Sequence, residues 1–268
     1  MAKVGRFRAL NKSLQGLQEF GNERDKCNRK RIWKCKSLQT LQRFAGGVKA
    51  SYLCRKDYCM DQIYFTADLH FGHPNILKHS LKRPFSDTVD IVAHDEWLLD
   101  LWCSTVDKRD TVYILGDLTF LKSVEAHRLL EKLPGKKFLI EGNHDGSIRA
   151  YHNYFKEVYQ IKEMRFKPTV APFLKEDFSV VMCHYPMVTW NQKPRGSIML
   201  HGHSHGKLDD YNAQSMDLRF DVGIDGELAN LRFLTLEDIY NAATEKITQY
   251  KCNSFAEYAK NNYRSEVK

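Results

Sequence analysis

The chain has 268 residues, of which 43% are hydrophobic, and it carries a formal net charge of +8. This length and composition are enough for a sizeable hydrophobic core and predict an ordinary globular protein. No run approaches the roughly 18 apolar residues of a membrane span and none resembles a secretory signal, so we expect a cytoplasmic protein with no membrane partner.

The positive charge is concentrated in the first 60 residues. This segment holds 15 Lys and Arg against 4 Asp and Glu, a balance of +11, which leaves 26 against 29, or −3, for the rest. Residues 1–60 are therefore predicted to be a basic extension, disordered or partly helical. Such an extension could hold nucleic-acid phosphates, and a solvated tail is the alternative. The acid-free start of the chain also suggests organellar targeting, on weaker grounds.

The seven cysteines fit no disulfide framework, because their number is odd and no export signal accompanies them. Cys103 and Cys183 lie in apolar stretches and are predicted to act as small hydrophobic residues. Four cysteines of the basic extension raise the hypothesis of a zinc site, although their spacing lacks the close pairs of structural zinc sites. These four are Cys27, Cys35, Cys54 and Cys59.

From Asp61 onward, strand and helix patterns alternate, which predicts a parallel sheet with helices packed against it. The strands are predicted at residues 63–67, 111–115 and 137–141, and the helices at 89–106 and 122–133. After residue 153, strand patterns follow one another without long helices between them. A second, more antiparallel sheet is therefore expected, with strands at 178–183, 197–200 and 218–222, then a helix at 236–250 and a C-terminal tail at 251–268.

Five short segments at the ends of predicted strands carry most of the metal-ligand chemistry. They are Asp68-Leu69-His70, Gly116-Asp117, Gly142-Asn143-His144-Asp145, His184 and Gly202-His203-Ser204-His205. Carboxylate and imidazole ligands suit Zn, Fe, Mn or Ni, and the glycines permit the sharp turns and close approaches that crowd ligands around ions. Ligand sites in α/β sheets lie at the carboxyl ends of strands. The segments together predict a site for two metal ions.

The order of these motifs resembles the calcineurin-like metallophosphoesterase superfamily over residues 63–241. The extended first motif, residues 69–76 with His73, resembles a subgroup of small bacterial and phage-type phosphoesterases. The resemblance implies an α/β fold with two β-sheets in a sandwich flanked by helices, which we expect over residues 61–250. It also implies two ions that share the carboxylate of Asp117. One ion would be held by Asp68, His70, Asp117 and His205, and the other by Asp117, Asn143, His184 and His203.

Two divalent transition-metal ions, with Mn expected and Fe, Zn or Ni as alternatives, would activate a bridging hydroxide for attack on a phosphoryl group. His144 is predicted to protonate the leaving group as a general acid, and Asp145 to orient the His144 imidazole. His73 is predicted to contact the substrate phosphate or, alternatively, to cap the following helix. Tyr185 and Trp190 are interpreted as pocket walls or as ordinary aromatic packing. The segment 221–225 is assigned a structural role.

The sequence thus predicts a phosphodiesterase that hydrolyses a nucleotide-like or other small phosphodiester. A nuclease that holds nucleic acid with the basic extension is the alternative, and a protein phosphatase is less favoured. A scaffold without activity is also less favoured, because similar scaffold proteins tend to lack the acid histidine, which His144 supplies here.

Overall fold

The computed structural model describes residues 61–80, 82–85, 87–146 and 148–263. The predicted basic extension, its four cysteines and its roles in nucleic-acid binding and targeting lie outside the described residues. The described residues fall within the unit Cys59–Lys268. They form a mixed α/β structure in which helices flank two mixed β-sheets.

The strands and helices follow the predicted alternation through the first half of the chain. The strands are β1 (Ile63–Thr66), β2 (Thr111–Ile114), β3 (Lys136–Ile140), β4 (Glu157–Tyr159), β5 (Ile161–Phe166), β6 (Phe178–Cys183), β7 (Ile198–His201), β8 (Arg219–Asp221) and β9 (Leu234–Thr235). The helices are α1 (Ile76–His79), α2 (Ile91–Thr105), α3 (Ser123–Lys132), α4 (Asp209–Gln214), α5 (Leu236–Gln249) and α6 (Phe255–Tyr263). Short 3-10 helices span Thr88–Asp90, Ile148–Tyr154 and Lys193–Arg195.

The first sheet has the order β4-β3-β2-β1-β9, in which β4 to β1 are parallel and β9 is antiparallel to β1. Alternate residues of β2 face two different hydrophobic clusters. Tyr113 packs between the sheets, whereas Val112 and Ile114 pack with Leu98 and Trp102 of α2. Because both faces of β2 are buried, its sequence is a continuous hydrophobic run and does not alternate with polar residues.

The second sheet has the order β5-β6-β7-β8 and is not the more antiparallel sheet that we expected. Only β5 pairs antiparallel, with β6, whereas β6, β7 and β8 are parallel. Parallel neighbours require long crossover connections. Residues 184–197 supply one of these connections and residues 202–218, which include the short helix α4, supply the other. The expectation was wrong because the crossovers do not need the long helices whose periodicity a sequence reveals.

The C-terminal helices complete the core between the sheets. Helix α5 begins with a capping box in which Thr235 and Asp238 satisfy each other's backbone N–H groups. The segment predicted as a C-terminal tail contains α6, whose Phe255 and Tyr258 are buried in the same cluster as residues of β6 and β7.

None of the helices in the described ranges combines the length and apolar character needed to cross a membrane.

Candidate metal centre

The seven predicted ligands follow strands of both sheets. The loops after β1 and β7 carry two ligands each, and those after β2, β3 and β6 carry one each. These are parallel strands, so their carboxyl ends bring the loops to a common edge. The fold therefore gathers residues that are far apart in sequence: Asp68, His70, Asp117, Asn143, His184, His203 and His205.

The backbone at several of these positions is left-handed. Among the described residues, nine non-glycine residues have positive φ, and five of the nine are predicted ligands. These five are Asp68 (57°), His70 (54°), Asp117 (54°), His203 (67°) and His205 (49°). L-residues avoid this region, and strained backbone of this kind clusters at functional sites. The local geometry is thus what a ligand site would require.

Two glycines allow the loops after β2 and β3 to touch. A Cβ on Gly116, which has φ of 91°, would lie 2.7 Å from Cα of Gly142. A Cβ on Gly142 would lie 2.7 Å from the backbone nitrogen of Asp117. Either substitution would push the loops apart, so these glycines provide the close approach that the sequence predicted.

Among the residues that the structure describes, two groups of side chains place their potential ligand atoms within 4.8 Å of one another. One group contains Asp68, His70 and His205, and the other contains Asp68, Asp117 and His184. Asp68 is common to both, whereas the motif pattern gave the shared position to Asp117. Oδ2 of Asp117 nevertheless lies 3.7 Å from Nε2 of His70 and 3.6 Å from Nε2 of His184, so it sits between the two groups.

The remaining two predicted ligands lie beside the second group. Oδ1 of Asn143 is 2.9 Å from Nε2 of His184 and 3.0 Å from Nδ1 of His203. Nδ1 of His184 donates to the Leu115 carbonyl at 2.8 Å, which orients the opposite ring nitrogen toward Asn143 and Asp117. The backbone N–H of His203 donates to Oδ2 of Asp68 at 2.8 Å and joins the two groups.

The charges and unpartnered atoms of the first group fit a bound cation. Burial raises the pKa of Asp68 well above its usual value, and the charges of Asp221 and Asp117 raise it further. Burial lowers the pKa of His70 to about 2, so its ring is neutral. Within the described chain, Oδ1 of Asp68 and both ring nitrogens of His70 are buried without a hydrogen-bond partner. Buried polar atoms normally have partners, and a divalent cation would satisfy the lone pairs of Asp68 Oδ1 and of the one unprotonated nitrogen of His70.

Asp145 contacts the backbone of the site rather than the His144 imidazole that it was predicted to orient. Its Oδ2 accepts from the N–H groups of Asp117 at 2.8 Å and Gly142 at 2.9 Å, and its Oδ1 accepts from Leu118 at 3.2 Å. Burial raises the pKa of Asp145, and these backbone hydrogen bonds oppose that effect. Asp145 therefore ties the loop after β2 to the loop after β3.

His144 and His73 lie at the rim of the site around Phe120. The exposed His144 ring is 4.7 Å from the Phe120 ring and 5.8 Å from the His70 ring, measured between centroids. His73 stacks on Phe120 at 3.9 Å and lies 5.3 Å from His70. The N-cap of α1 is Asn75 and has no side-chain hydrogen bond, so His73 does not act as its cap. Both histidines therefore lie beside the His70 ring of the first ligand group.

The two aromatic residues after β6 have different environments. Tyr185 is 47% exposed, and its ring meets the His184 and His203 rings at centroid distances of 5.1 and 4.8 Å. Trp190 is buried, and its Nε1 donates to the Ser197 carbonyl at 3.1 Å. Only Tyr185 can line the opening of the site, and Trp190 is ordinary packing.

Sequence reasoning missed Arg83 and underrated Asp225. Nδ1 of His205 donates to Oδ2 of Asp225 at 2.8 Å, and the buried Arg83 pairs with the same carboxylate at 2.8 Å. Burial alone would raise the pKa of Asp225, but hydrogen bonds from His205 and Arg83, together with the Arg83 charge, hold it well below its usual value. A buried arginine was not predicted, because a single Arg in a loop carries no periodic signal.

The fold and site together define an α/β protein with two mixed sheets and a clustered Asp and His site at the strand ends. The chain matches no protein-family model. It is 30% identical to the Gene 66 protein of Mycobacterium phage L5 over 175 residues, which cover 56% of this chain and 80% of the phage protein. It is 32% identical to the uncharacterized protein MJ1445 of Methanocaldococcus jannaschii over 155 residues, which cover 57% and 74% of the two chains. The chain belongs to the family of these two proteins.

A solved structure agrees with the fold. The crystal structure of the protein of unknown function AQ665 from Aquifex aeolicus aligns with a TM-score of 0.50 and 23% identity. The alignment covers 68% of this chain and 100% of that protein. At this level of identity, the similarity concerns the fold alone.

Proposed function

We propose that this protein is a dinuclear-metal phosphoesterase, acting as a phosphodiesterase on nucleotide-like or other small phosphodiesters. The observation that carries the proposal is the pair of ligand groups that share Asp68, with buried lone pairs on Asp68 and His70 that have no hydrogen-bond partner in the described chain. When bound, two divalent ions such as Mn, Fe, Zn or Ni supply charge neutralisation for the phosphoryl oxygens and activation of a water.

Side chains from loops of both sheets would hold the two ions in this proposal. Asp68, His70 and His205 would hold the first ion, and Asp68, Asp117 and His184 would hold the second, with Asn143 and His203 beside it. Either Asp68 or Asp117 can serve as the shared carboxylate, since each lies within reach of both groups. Asp145 keeps the Asp117 loop in register with the Asn143 loop.

His144 and His73 act on the substrate rather than on the ions. The exposed imidazole of His144 donates a proton to the leaving-group oxygen, the role for which histidine is suited near neutral pH. Its backbone N–H donates to Oδ1 of Asp117 at 2.9 Å, which fixes the position of His144 beside the second ligand group. His73, held by stacking on Phe120, contacts a phosphoryl oxygen.

The exposed ring of Tyr185 supports a planar substituent on the substrate. It stands edge-on to His184 and His203 at the mouth of the site. Aromatic rings pack well against other planar groups in offset or edge-to-face geometry. A nucleobase or an aryl leaving group could occupy this position.

The test is hydrolysis of bis(p-nitrophenyl) phosphate by the full chain reconstituted with Mn²⁺, and in parallel with Fe²⁺, Zn²⁺ or Ni²⁺. We expect metal-dependent turnover that Asp117→Asn abolishes. The matched control is Asp110→Asn, which alters a buried carboxylate at the opposite end of β2, where Asp110 accepts backbone N–H groups of Gln62 and Asp107. The control should retain turnover.

Absence of turnover with all four metals, or full activity of Asp117→Asn, would contradict the proposal. The same assay is repeated with nucleic acid as the substrate. Cleavage that falls steeply with salt and weakens when residues 1–60 are removed would point instead to a nuclease, because phosphate contacts release counterions. Hydrolysis of a small diester should respond to neither change.

A further inference from the structure

Arg83 is a buried cation whose hydrogen-bonding capacity is fully used. Its residue is 3% exposed, and its guanidinium has five N–H donors. Nε and Nη2 donate to the two oxygens of Asp225 at 2.9 and 2.8 Å, and Nη2 also donates to the Asp68 carbonyl at 2.6 Å. Nη1 donates to the Leu69 carbonyl at 3.0 Å and to Nε2 of His94 at 2.8 Å. The fork matches five acceptors, which lysine could not reproduce.

Two of these acceptors belong to the loop that carries the ligands Asp68 and His70. A second connection to the same loop runs through α2. His94 accepts from Arg83 at Nε2, so its Nδ1 donates to Asp95 at 3.0 Å, and Asp95 accepts the backbone N–H of Gly72 at 2.9 Å. Arg83 therefore holds both ends of the loop after β1.

The opposite side of the network reaches the ligand His205. A carboxylate only accepts, so the contact of 2.8 Å means that Nδ1 of His205 donates to Oδ2 of Asp225. Ser80 donates to the other oxygen of Asp225. With its proton on Nδ1, a neutral His205 has its lone pair on Nε2, which is the form that a metal ligand needs.

We propose that Arg83 and Asp225 are positioning residues for the ion held by Asp68, His70 and His205. The pair fixes the Nδ1–H form of His205 and clamps the loop 68–72 against the loop 203–206, while contacting neither substrate nor ion. This inference rests on the proposed function, because it names what positions one of its two ions. It also predicts an asymmetry, since His205, whose ring Asp225 contacts, belongs to the first ligand group and not to the second.

The contacts of Arg83 and Asp225 differ from those expected of an ion pair that only stabilises the fold. Replacing a buried ion pair with apolar groups is often neutral or stabilising, so burial of Arg83 and Asp225 is by itself weak evidence for a role in stability. The contacts here are directed at backbone and side chains that carry ligands. Partners that orient metal-ligating histidines typically change metal affinity by roughly 10- to 100-fold when removed.

The experiment compares full-length wild type, Asp225→Asn, Arg83→Lys and Asp110→Asn by calorimetric titration with Mn²⁺. We expect wild type and the Asp110→Asn control to bind two ions. Asp225→Asn should bind one ion with nearly unchanged affinity and the other roughly 10- to 100-fold more weakly. Arg83→Lys retains the positive charge and should weaken the same ion by a smaller factor.

A second measurement uses metal-free protein labelled with ¹⁵N-histidine, in which long-range ¹H–¹⁵N correlations report the proton position on each ring. His205 should be Nδ1–H in wild type and in Asp110→Asn, and should shift toward Nε2–H in Asp225→Asn. A merely structural role would leave this signature in place. If Asp225→Asn does not fold, Arg83→Lys carries the Mn²⁺ titration, and its His205 should stay Nδ1–H because Asp225 still accepts that proton.

The inference is overturned if the variants bind both ions as wild type does, if they lose both ions equally, or if Asp225→Asn keeps the His205 proton on Nδ1. Failure of the proposed function has a different signature. Wild type would then bind no Mn²⁺, while the metal-free spectra would still show whether Asp225 sets the His205 ring.

Discussion

Several residues at this site have unfavourable conformations or environments that lower the stability of the folded protein. A non-glycine residue with positive φ is strained by roughly 1 kcal/mol or more, and five predicted ligands have this conformation. Asp68 adds an electrostatic cost, since its buried carboxyl lies near three other acids, Asp117, Asp221 and Asp225. These costs lie where the ligand atoms converge, as expected where function and stability compete.

Replacing His203 separates backbone strain from side-chain chemistry. His203→Gly and His203→Ala both remove the exposed imidazole and its contact with Asn143. Only glycine adopts φ of 67° without strain, so we expect His203→Gly to be more stable than His203→Ala by about 1 kcal/mol. Urea unfolding of the metal-free variants measures the difference. Equal stability would show that the left-handed backbone at this position carries no cost.

His144 is the residue at which the roles of ligand and acid can be told apart. His144→Ala should keep wild-type metal content but slow turnover by roughly 10²- to 10⁴-fold, because acid catalysis is lost. The loss should be smallest for substrates with good leaving groups. Metal analysis and a leaving-group series test this, with His127→Ala as the control for an exposed histidine on α3. Loss of metal together with activity would make His144 a ligand instead.

At the scale of elements, the periodic patterns located the strands that carry the site. The ends of β1, β2, β3, β6 and β7 fell within a residue or two of their predicted positions. The patterns missed β4, β5, β9 and α6, which are short or lack a strong alternation. They also failed on the direction of the strands in the second sheet, because strand direction depends on the path of the crossovers and not on side-chain periodicity.

Helix α5 carries a buried lysine whose titration can be followed. Burial lowers the pKa of Lys246 from 10.5 to about 8, although the charge of Asp217 opposes the shift. Its Nζ donates to the carbonyls of Asn212 and Asp217, and Arg219 is the nearby cation. Between pH 8 and 10.5 the unfolded chain binds more protons at this group than the folded chain does. Its contribution to the free energy of unfolding therefore rises with pH in this window.

Lys246→Met should remove that contribution. We expect the difference in unfolding free energy between wild type and Lys246→Met to change by at most about 1.4 kcal/mol per pH unit across the window. Chemical denaturation at several pH values measures it. Lys260→Met, at an exposed position of α6, is the control and should show no such trend. A pH-independent difference for Lys246→Met would mean that the buried amine titrates outside the window.

At the scale of the whole molecule, loops of the two sheets bring a cluster of buried acids together at one edge. Asp68, Asp117, Asp221 and Asp225 are all buried at this edge. Arg83 is paired with Asp225 alone among them. The rest of the negative charge has no buried cation against it in the described chain, and a divalent ion would supply one.

Metal and stability should therefore be linked through Asp68. Free metal at 100 times its dissociation constant should stabilise the wild-type fold by about 2.7 kcal/mol per site, and chelation should reverse this. Asp68→Asn should abolish the effect, because Asp68 belongs to both ligand groups. Without metal, Asp68→Asn should instead be more stable than wild type at neutral pH, because ionising this buried carboxyl is costly.

Thermal unfolding of wild type and Asp68→Asn, with Mn²⁺ and with a chelator, measures both effects: the stabilisation of wild type by metal and the higher stability of Asp68→Asn without metal. Asp110→Asn is again the matched control and should keep the metal-dependent stabilisation. A wild-type protein whose unfolding ignores Mn²⁺, Fe²⁺, Zn²⁺ and Ni²⁺ would argue against a metal centre at this edge.

The sequence by itself determined which residue types stand at which strand ends. Asp68, Asp117 and His184 could be singled out because hydrophobic runs and glycines mark the local chain, and local chain geometry depends on local sequence. Tertiary structure alone decided how these side chains are arranged. It gave Asp68 the position common to both groups and directed Asp145 to backbone N–H groups.

Tertiary structure alone also decided which distant residues support the site. Arg83 and Asp225 are 142 residues apart in the chain and bind each other through both carboxylate oxygens. Such a contact depends on the order of strands in two sheets and on the paths of the loops between them. No periodic pattern encodes those paths, so the Asp and His residues at the strand ends could be predicted from the sequence while the contact between Arg83 and Asp225 could not.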